Sequence, residues 1–372
     1  MKFAKKYLSA GLLIAFMLFF FAANLITPDR DFSEKENREL ASAPKFTFMS
    51  LFSGDFTADF ESYITDQFFE RDFWVSMKSK CELLLGKDEI NGVLVGDNGL
   101  LVAEYPQPDP GRLEANASAV ETFAQNAGIP VYFTLIPGAA EIWSDRLPDT
   151  GRSGSQADAI SYVYGRVPSA VKIDTLAALS AHSGEDIYYY TDHHWTTLGA
   201  YYGYSALAEA MGLIPSALPE AFEEVSGFYG TASSACGISP AGGDTVSLRV
   251  PEEAASFVRV YNGEEWADGT LYSLEKLSVR DKYTVFLNGN EPLTVIGGSD
   301  PGGKKLLLVK DSYANCEIPY LCGHFSEIHV VDLRYYKQSI SEYIEKNGID
   351  AAVVSYSVSN FSEDTNLFFL TK

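Results

Sequence analysis

The chain has 372 residues, 46% of them hydrophobic, enough to bury one large core or two smaller ones. Fifty acidic side chains stand against 28 basic ones, and the formal net charge of -22 excludes binding to nucleic acid or to an anionic membrane surface through bulk electrostatics. The four cysteines (Cys81, Cys236, Cys316, Cys322) form no Cys-x-x-Cys pair, which argues against zinc and thioredoxin chemistry; Cys316 and Cys322 are near enough in sequence to bridge, and their disulfide state stays open.

At the N-terminus, Leu8 to Ile26 carries no charged side chain and as a helix spans about 28 Å, the thickness of a bilayer's hydrocarbon core. Lys2, Lys5 and Lys6 precede it, and Asp29, Asp31, Glu34, Glu36 and Glu39 follow. By the positive-inside rule, residues 1–7 are a cytoplasmic tail, 8–27 a transmembrane anchor, and the remainder lies outside the cell membrane. A cleaved signal peptide is the competing reading, but cutting after Ala23 puts bulky Phe21 where a small residue is preferred.

Residues 28–90 read as a membrane-proximal region. Thr27 to Lys45 is a charged spacer, and then Phe56, Phe60, Ile64 and Phe68 recur every four residues, with Phe73, Met77 and Leu84 extending the pattern. This predicts one or two amphipathic helices from about 54 to 85, whose aromatic side is a core or packing face, with Asp66 and Arg71 on a solvated or ion-paired rim.

From residue 91 to 372 the pattern becomes α/β. Two apolar runs flank Asp97-Asn98-Gly99 in a hairpin. A helix over Arg112 to Asn126 leads to strands at 131–137 and 170–174, and later strands are expected at 305–309, 328–332 and 351–356. Short continuous apolar runs separated by helices imply a mainly parallel sheet flanked by helices. Residues 222 to 300 interrupt this rhythm as a β-rich insertion, with alternating runs at 256–261 and 283–287.

The chemistry gathers at Asp192-His193-His194-Trp195, where two of only five histidines stand beside an acid and an indole. The next helix follows at once, with Thr196 or Thr197 as N-cap, Gly212 as stop, and Leu198, Tyr202, Ser205 and Met211 along one face. Far downstream, the apolar run Leu306 to Val309 passes into Lys310-Asp311-Ser312-Tyr313, so Ser312 stands at a strand's carboxyl end, where reacting groups gather in open α/β sheets. A serine hydroxyl needs an imidazole to take its proton, and that imidazole needs an acceptor to hold one tautomer; Ser312, His194 and Asp192 are the three types required.

The motif Asp192 to Trp195 resembles that of the DHHW protein family, itself similar to the alginate O-acetyltransferase proteins. The likeness extends to the N-terminal anchor, Phe32 to Arg38, Asp66 to Asp72 and Lys310 to Tyr313. It implies an SGNH-hydrolase-like fold in which Asp192 orients, His194 is the general base and Ser312 the nucleophile. Ser312 follows Lys310-Asp311 and lacks the usual Gly-Asp-Ser. Backbone N–H groups of Ser312 or Tyr313 and the amide of Asn315 are the oxyanion candidates, while Trp195, His193 and Arg334 are substrate candidates, with His324 and His329 as further cleft residues.

On this reading the protein is a membrane-anchored, extracytoplasmic O-acetyltransferase. It needs no cofactor; a polysaccharide is the acceptor and a membrane-embedded acyltransferase supplies the acetyl group. The alternatives are a carbohydrate esterase using the same residues with water, and a non-catalytic envelope protein in glycan assembly. A metal site of Asp192, His193 and His194 is disfavoured because adjacent residues seldom turn toward one ion.

Overall fold

The computed structural model describes residues 2–149, 154–287, 289–300 and 302–372, with side chains from Tyr7 onward. Met1 of the expected cytoplasmic tail and the side chains of Lys2, Lys5 and Lys6 lie outside the described residues. The chain divides into two compact units, Met1–Lys87 with Ser234–Ile238, and Asp88–Ser233 with Ser239–Lys372.

In the first unit, Lys2–Ile26 is one helix, and its segment Tyr7–Ile26 is long and apolar enough to cross a membrane. The aromatic repeat forms two helices, Asp55–Asp66 and Arg71–Leu84, separated at Glu70, whose φ of 54° no helix accommodates. Much of their apolar side is not core: Phe60, Ile64, Phe73, Trp74 and Met77 are 37–49% exposed. Asp66 is buried rather than on a rim, because Arg38 of the charged spacer donates to its two oxygens at 2.8 and 2.6 Å. That guanidinium holds the carboxyl below its ordinary pKa. The spacer is thereby docked. Ser234–Ile238 joins this unit through Ser79 and Ser76, whose hydroxyls donate to the Cys236 and Gly237 carbonyls at 2.6 and 2.8 Å.

The second unit is built on eight strands: β1 (Val131–Ile136), β2 (Val171–Ile173), β3 (Phe257–Tyr261), β4 (Trp266–Asp268), β5 (Leu293–Gly297), β6 (Lys305–Lys310), β7 (Glu327–Val331) and β8 (Ala351–Ser357). They lie in the order β4-β3-β5-β7-β6-β8-β1-β2. From β7 to β2 all pairs are parallel, and β4, β3 and β5 add an antiparallel edge. Three strands of the region expected as an insertion, β3, β4 and β5, therefore continue the main sheet, while Glu223–Phe228 and Asp244–Leu248 pair antiparallel as a separate two-stranded sheet. The alternating run Tyr283 to Leu287 is not a strand: it forms a 3-10 turn over Lys282–Val285 and bridges to Tyr272 only through Phe286.

The central strands are apolar throughout because both sheet faces are covered. Leu306, Leu308 and Val353 point into one core with Trp143, Trp195, Tyr204 and Ile318, while Leu307, Val309, Ala352 and Val354 point into the other with Val120, Phe123, Ile160 and Phe361. Helix Pro110–Asn126 begins at Asp109, whose carboxylate accepts from Gly111 N–H, with Pro110 at the first helical position. The hairpin pairs Val93–Val95 with Leu101–Ala103 across the Asp97–Gly99 turn. Among the described residues, no disulfide joins any of the four cysteines.

Because Leu307 is fully buried on the central strand β6, Leu307→Ala should destabilise the protein by about 2–5 kcal/mol, read as a lowered denaturant midpoint. An unchanged midpoint would contradict the two-faced burial of the sheet.

Candidate active site

Ser312 follows β6 directly and opens a short 3-10 turn, Ser312–Cys316. Its position is set by Asp311, which is buried and accepts four hydrogen bonds: Oδ1 from Tyr313 N–H at 2.9 Å, and Oδ2 from Ser357 N–H at 2.8 Å, Ser357 Oγ at 2.8 Å and Asn360 Nδ2 at 2.9 Å. A carboxylate so saturated binds the end of β6 to that of β8.

The motif loop reaches the same place from the other part of the sequence. Asp192 Oδ1 accepts from His194 N–H at 2.9 Å and from His194 Nδ1 at 2.6 Å, while Oδ2 accepts from Thr231 N–H at 2.8 Å and Thr231 Oγ1 at 3.0 Å. With a carboxylate at Nδ1, that nitrogen carries the proton and Nε2 is an acceptor. Nε2 lies 2.9 Å from Ser312 Oγ. Tyr283 stacks on the His194 ring at 3.7 Å and 10°, and its hydroxyl donates to the Ser312 carbonyl at 2.8 Å. The imidazole is thus held in rotation as well as in tautomer.

Burial by itself pushes the Asp192 pKa up, but the neighbouring imidazoles and the hydrogen bonds from His194 and Thr231 hold it well below the carboxylate range. Gly230 backs this carboxylate so closely that a Cβ there would lie 2.2 Å from Asp192 atoms. Asp244 secures the preceding residues, accepting from Tyr190 N–H and Thr191 N–H at 2.8 Å each.

His193 turns its Nδ1 to Thr231 Oγ1 at 2.6 Å and stays partly exposed beside His194. Trp195 is fully buried, its Nε1–H donating to the Tyr313 carbonyl at 2.8 Å, so the indole is packing and not a wall for substrate. Two expected oxyanion donors are already engaged: Tyr313 N–H by Asp311, and the Asn315 amide by Gly289 O and Asn290 Oδ1 at 3.3 and 3.2 Å. Ser312 N–H donates to no acceptor among the described residues. Arg334 clamps Asp332, with Nη2 at 2.6 Å from Oδ2, and borders a groove of about 200 Å³ with Asp311, Asn360 and Asn366. His324 and His329 do not enter the site; they bond to Tyr204 at 2.6 Å and to Tyr343 at 2.7 Å.

The helix after the loop spans Thr197–Ala210, with Thr196 Oγ1 accepting from Gly199 N–H as N-cap. Its buried side is Ala200, Gly203, Tyr204, Leu207 and Ala208, not the Leu198, Tyr202, Ser205 face. Gly203 is required there because a Cβ would lie 2.5 Å from the Trp195 ring. The ligating atoms of Asp192, His193 and His194 lie within 4.8 Å of one another, close enough for an ion, but both Asp192 oxygens already accept hydrogen bonds that an ion would displace. Sequence reasoning missed Asp311, Thr231, Asp244 and Tyr283 as supports. Only Asp311, adjacent to Ser312, carried a signal.

The sequence profile described as "DHHW protein" matches residues 114–331, more than half of the chain. Among solved structures, a DHHW family protein from Eubacterium siraeum is 25% identical with a TM-score of 0.65, covering 76% of this chain and 95% of that one. Bacillus cereus PatB1 with sulfonyl adduct is 22% identical with a TM-score of 0.62, over 75% of this chain and 98% of that one. The O-acetyltransferase domain of Pseudomonas putida AlgJ is 16% identical with a TM-score of 0.45, covering 73% and 93%. No curated protein matches by sequence.

Gly230→Ala should push Asp192 out of register at a cost of about 1–3 kcal/mol, seen as a lower Tm together with loss of the downfield His194 Nδ1 proton resonance by NMR. Glu317, at the end of the Ser312 turn, is buried, and burial followed by the charge of Asp311 pushes its carboxyl up to about 8. The folded chain keeps a proton there that the unfolded chain releases, so this stability is complete below the ordinary value of 4.5 and is lost as pH rises toward about 8. The Tm of Glu317→Gln relative to the parent should therefore climb across that window; a constant difference would refute the buried proton.

Proposed function

The chain belongs to the DHHW family, and from that membership and the hydrogen-bonded series Ser312, His194 and Asp192 we propose that it is an extracytoplasmic O-acetyltransferase acting on a polysaccharide. The observation that carries the reading is the approach of His194 Nε2 to Ser312 Oγ at 2.9 Å with Asp192 behind Nδ1 at 2.6 Å. The resemblance of the motif to alginate O-acetyltransferase proteins, with an SGNH-hydrolase-like arrangement in permuted order, supplies the acyl group and the class of acceptor. The N-terminal apolar helix supports an uncleaved anchor that leaves the rest of the chain outside the cell. A membrane-embedded acyltransferase is the matching acetyl donor.

In this mechanism Ser312 Oγ attacks the carbonyl carbon of an acetyl donor while its proton passes to His194 Nε2. Asp192 stabilises the imidazolium without taking the proton. Ser312 N–H is oriented by the turn and free to donate to the developing oxyanion, where one such bond is worth about 2.7–4 kcal/mol. The proton on Nε2 then goes to the leaving group, giving an acetyl-serine. A sugar hydroxyl next surrenders its proton to Nε2 and attacks the ester, and collapse returns the proton to Ser312 Oγ. The partial exposure of Ser312 also admits water as acceptor, which makes an esterase the second reading.

The test is incubation of the purified chain with an aryl acetate, with and without polysaccharide acceptors, following aryl alcohol, free acetate and acetylated sugar. Ser312→Ala should lose the acetyl-enzyme, detected as an acetylated peptide containing Ser312 in the parent, and Asp192→Asn should lower kcat by about 10⁴. Transfer predicts that acceptor diverts product from acetate to acetylated sugar; undiverted acetate selects the esterase. Equal turnover by Ser312→Ala would defeat both and leave the envelope-assembly role.

A further inference from the structure

In the first unit, the turn between the two amphipathic helices lies against the apolar N-terminal helix well inside its span. The Phe19 ring meets Phe69 at 6.3 Å, and Phe20 meets Phe68, stacked, at 5.6 Å and Trp74 at 5.6 Å. Phe69 N–H donates to Asn24 Oδ1 at 2.6 Å, satisfying the polar side chain near the end of that helix. One residue group earlier, Gln67 exchanges hydrogen bonds with the backbone of Arg30 at 2.9 Å each way, beyond the helix end. The backbone at Phe69 thus meets the side chain of Asn24, and from there the rings of Phe68 and Trp74 reach that of Phe20.

Phe20 is six positions before Ile26, about 9 Å along the helix axis at 1.5 Å per residue. Interfacial helices sink their apolar face about 5–10 Å into the boundary between headgroups and acyl chains. On the same helix as Trp74, Phe73 and Met77 are 49% and 41% exposed, too much apolar surface to leave in water beside a membrane helix. Two charges that follow the turn are paired, Asp72 with Arg30 at 3.0 Å and Arg71 with Glu36, while Glu70 in the turn itself is exposed. Pairing lowers the cost of holding them at a headgroup boundary.

We propose that Phe68, Phe69, Phe73, Trp74 and Met77 form a membrane-inserted wedge, seated beside the anchor in the outer leaflet of the bilayer. The inference rests on the anchor being retained. Its occupant is lipid, and the overall acidity of the chain favours an uncharged, zwitterionic surface.

The full chain is reconstituted into phosphatidylcholine vesicles with or without bromine on the upper acyl chain, and tryptophan emission is compared between the parent and Trp74→Phe. Trp143 and Trp195 are fully buried, and Trp266, which is 43% exposed, is replaced by Phe in both proteins, so brominated lipid should quench the Trp266→Phe background and the loss should disappear when Trp74→Phe is added. In a Cys81→Ser background, bimane on Met77→Cys should shift to the blue on reconstitution. Flotation of the chain with vesicles reports the anchor separately. Flotation with equal quenching of parent and Trp74→Phe, and a bimane spectrum typical of water, would overturn the wedge while sparing the anchor; failure to float would overturn both. The same null result in lipid, with protection appearing only beside a membrane-embedded partner protein, would assign this face to protein contact and also overturn the proposal.

Discussion

Three contacts join the motif loop to the end of β6 across about a third of the chain: His194 Nε2 to Ser312 Oγ, Trp195 Nε1–H to the Tyr313 carbonyl, and the Tyr313 hydroxyl to the His193 carbonyl. A single such bond contributes only about 0.5–1.5 kcal/mol net. The fully buried indole of Trp195 contributes more, because an aromatic side chain removes about 150–250 Å² from water at about 25 cal/mol per Å², or about 4–6 kcal/mol. Packing of Trp195 into the core shared with Tyr204 and Ile318 therefore holds the junction, and the hydrogen bonds decide its register. The approach of His194 to Ser312 depends on a tryptophan that touches neither of the two bonded atoms.

Around that junction, two buried carboxylates do similar structural work. Asp311 locks the end of β6 to β8, and Asp192 locks the motif loop to the Gly230–Thr231 segment. Each accepts four hydrogen bonds, and at Asp192 those from His194 and Thr231 oppose the burial that favours the acid. Tyr283, bridging His194 and the Ser312 carbonyl, ties the connection between β4 and β5 to the same point. The result is an imidazole with one tautomer and one orientation facing a hydroxyl that stays open to solvent.

The first unit follows a different physical rule. Its core is thin, its aromatic side chains stay largely exposed, and its buried charge is the Asp66–Arg38 pair, supported by Arg71. The apolar helix supplies part of the surface against which its rings pack.

Much of this was readable from residues alone, because local order and hydrophobic period are short-range properties. The apolar run ending at Lys310 dictated a buried strand with Ser312 beyond it, Thr196 or Thr197 marked a helix start, and the Asp192-His194 pair stood out by composition. What only tertiary structure decided were the partners of those groups. The alternation of Tyr283 to Leu287 is the pattern of a strand, yet Tyr283 turns to stack on His194, a demand that arises from a residue nearly ninety positions away. Trp195 carried no mark to distinguish packing from substrate contact, and Arg38 none to pair it with Asp66. Nor did the Tyr313 N–H and the Asn315 amide show in advance that other acceptors would claim them. Hydrogen-bond saturation depends on what the fold brings within 3 Å, and no one-dimensional pattern encodes that distance.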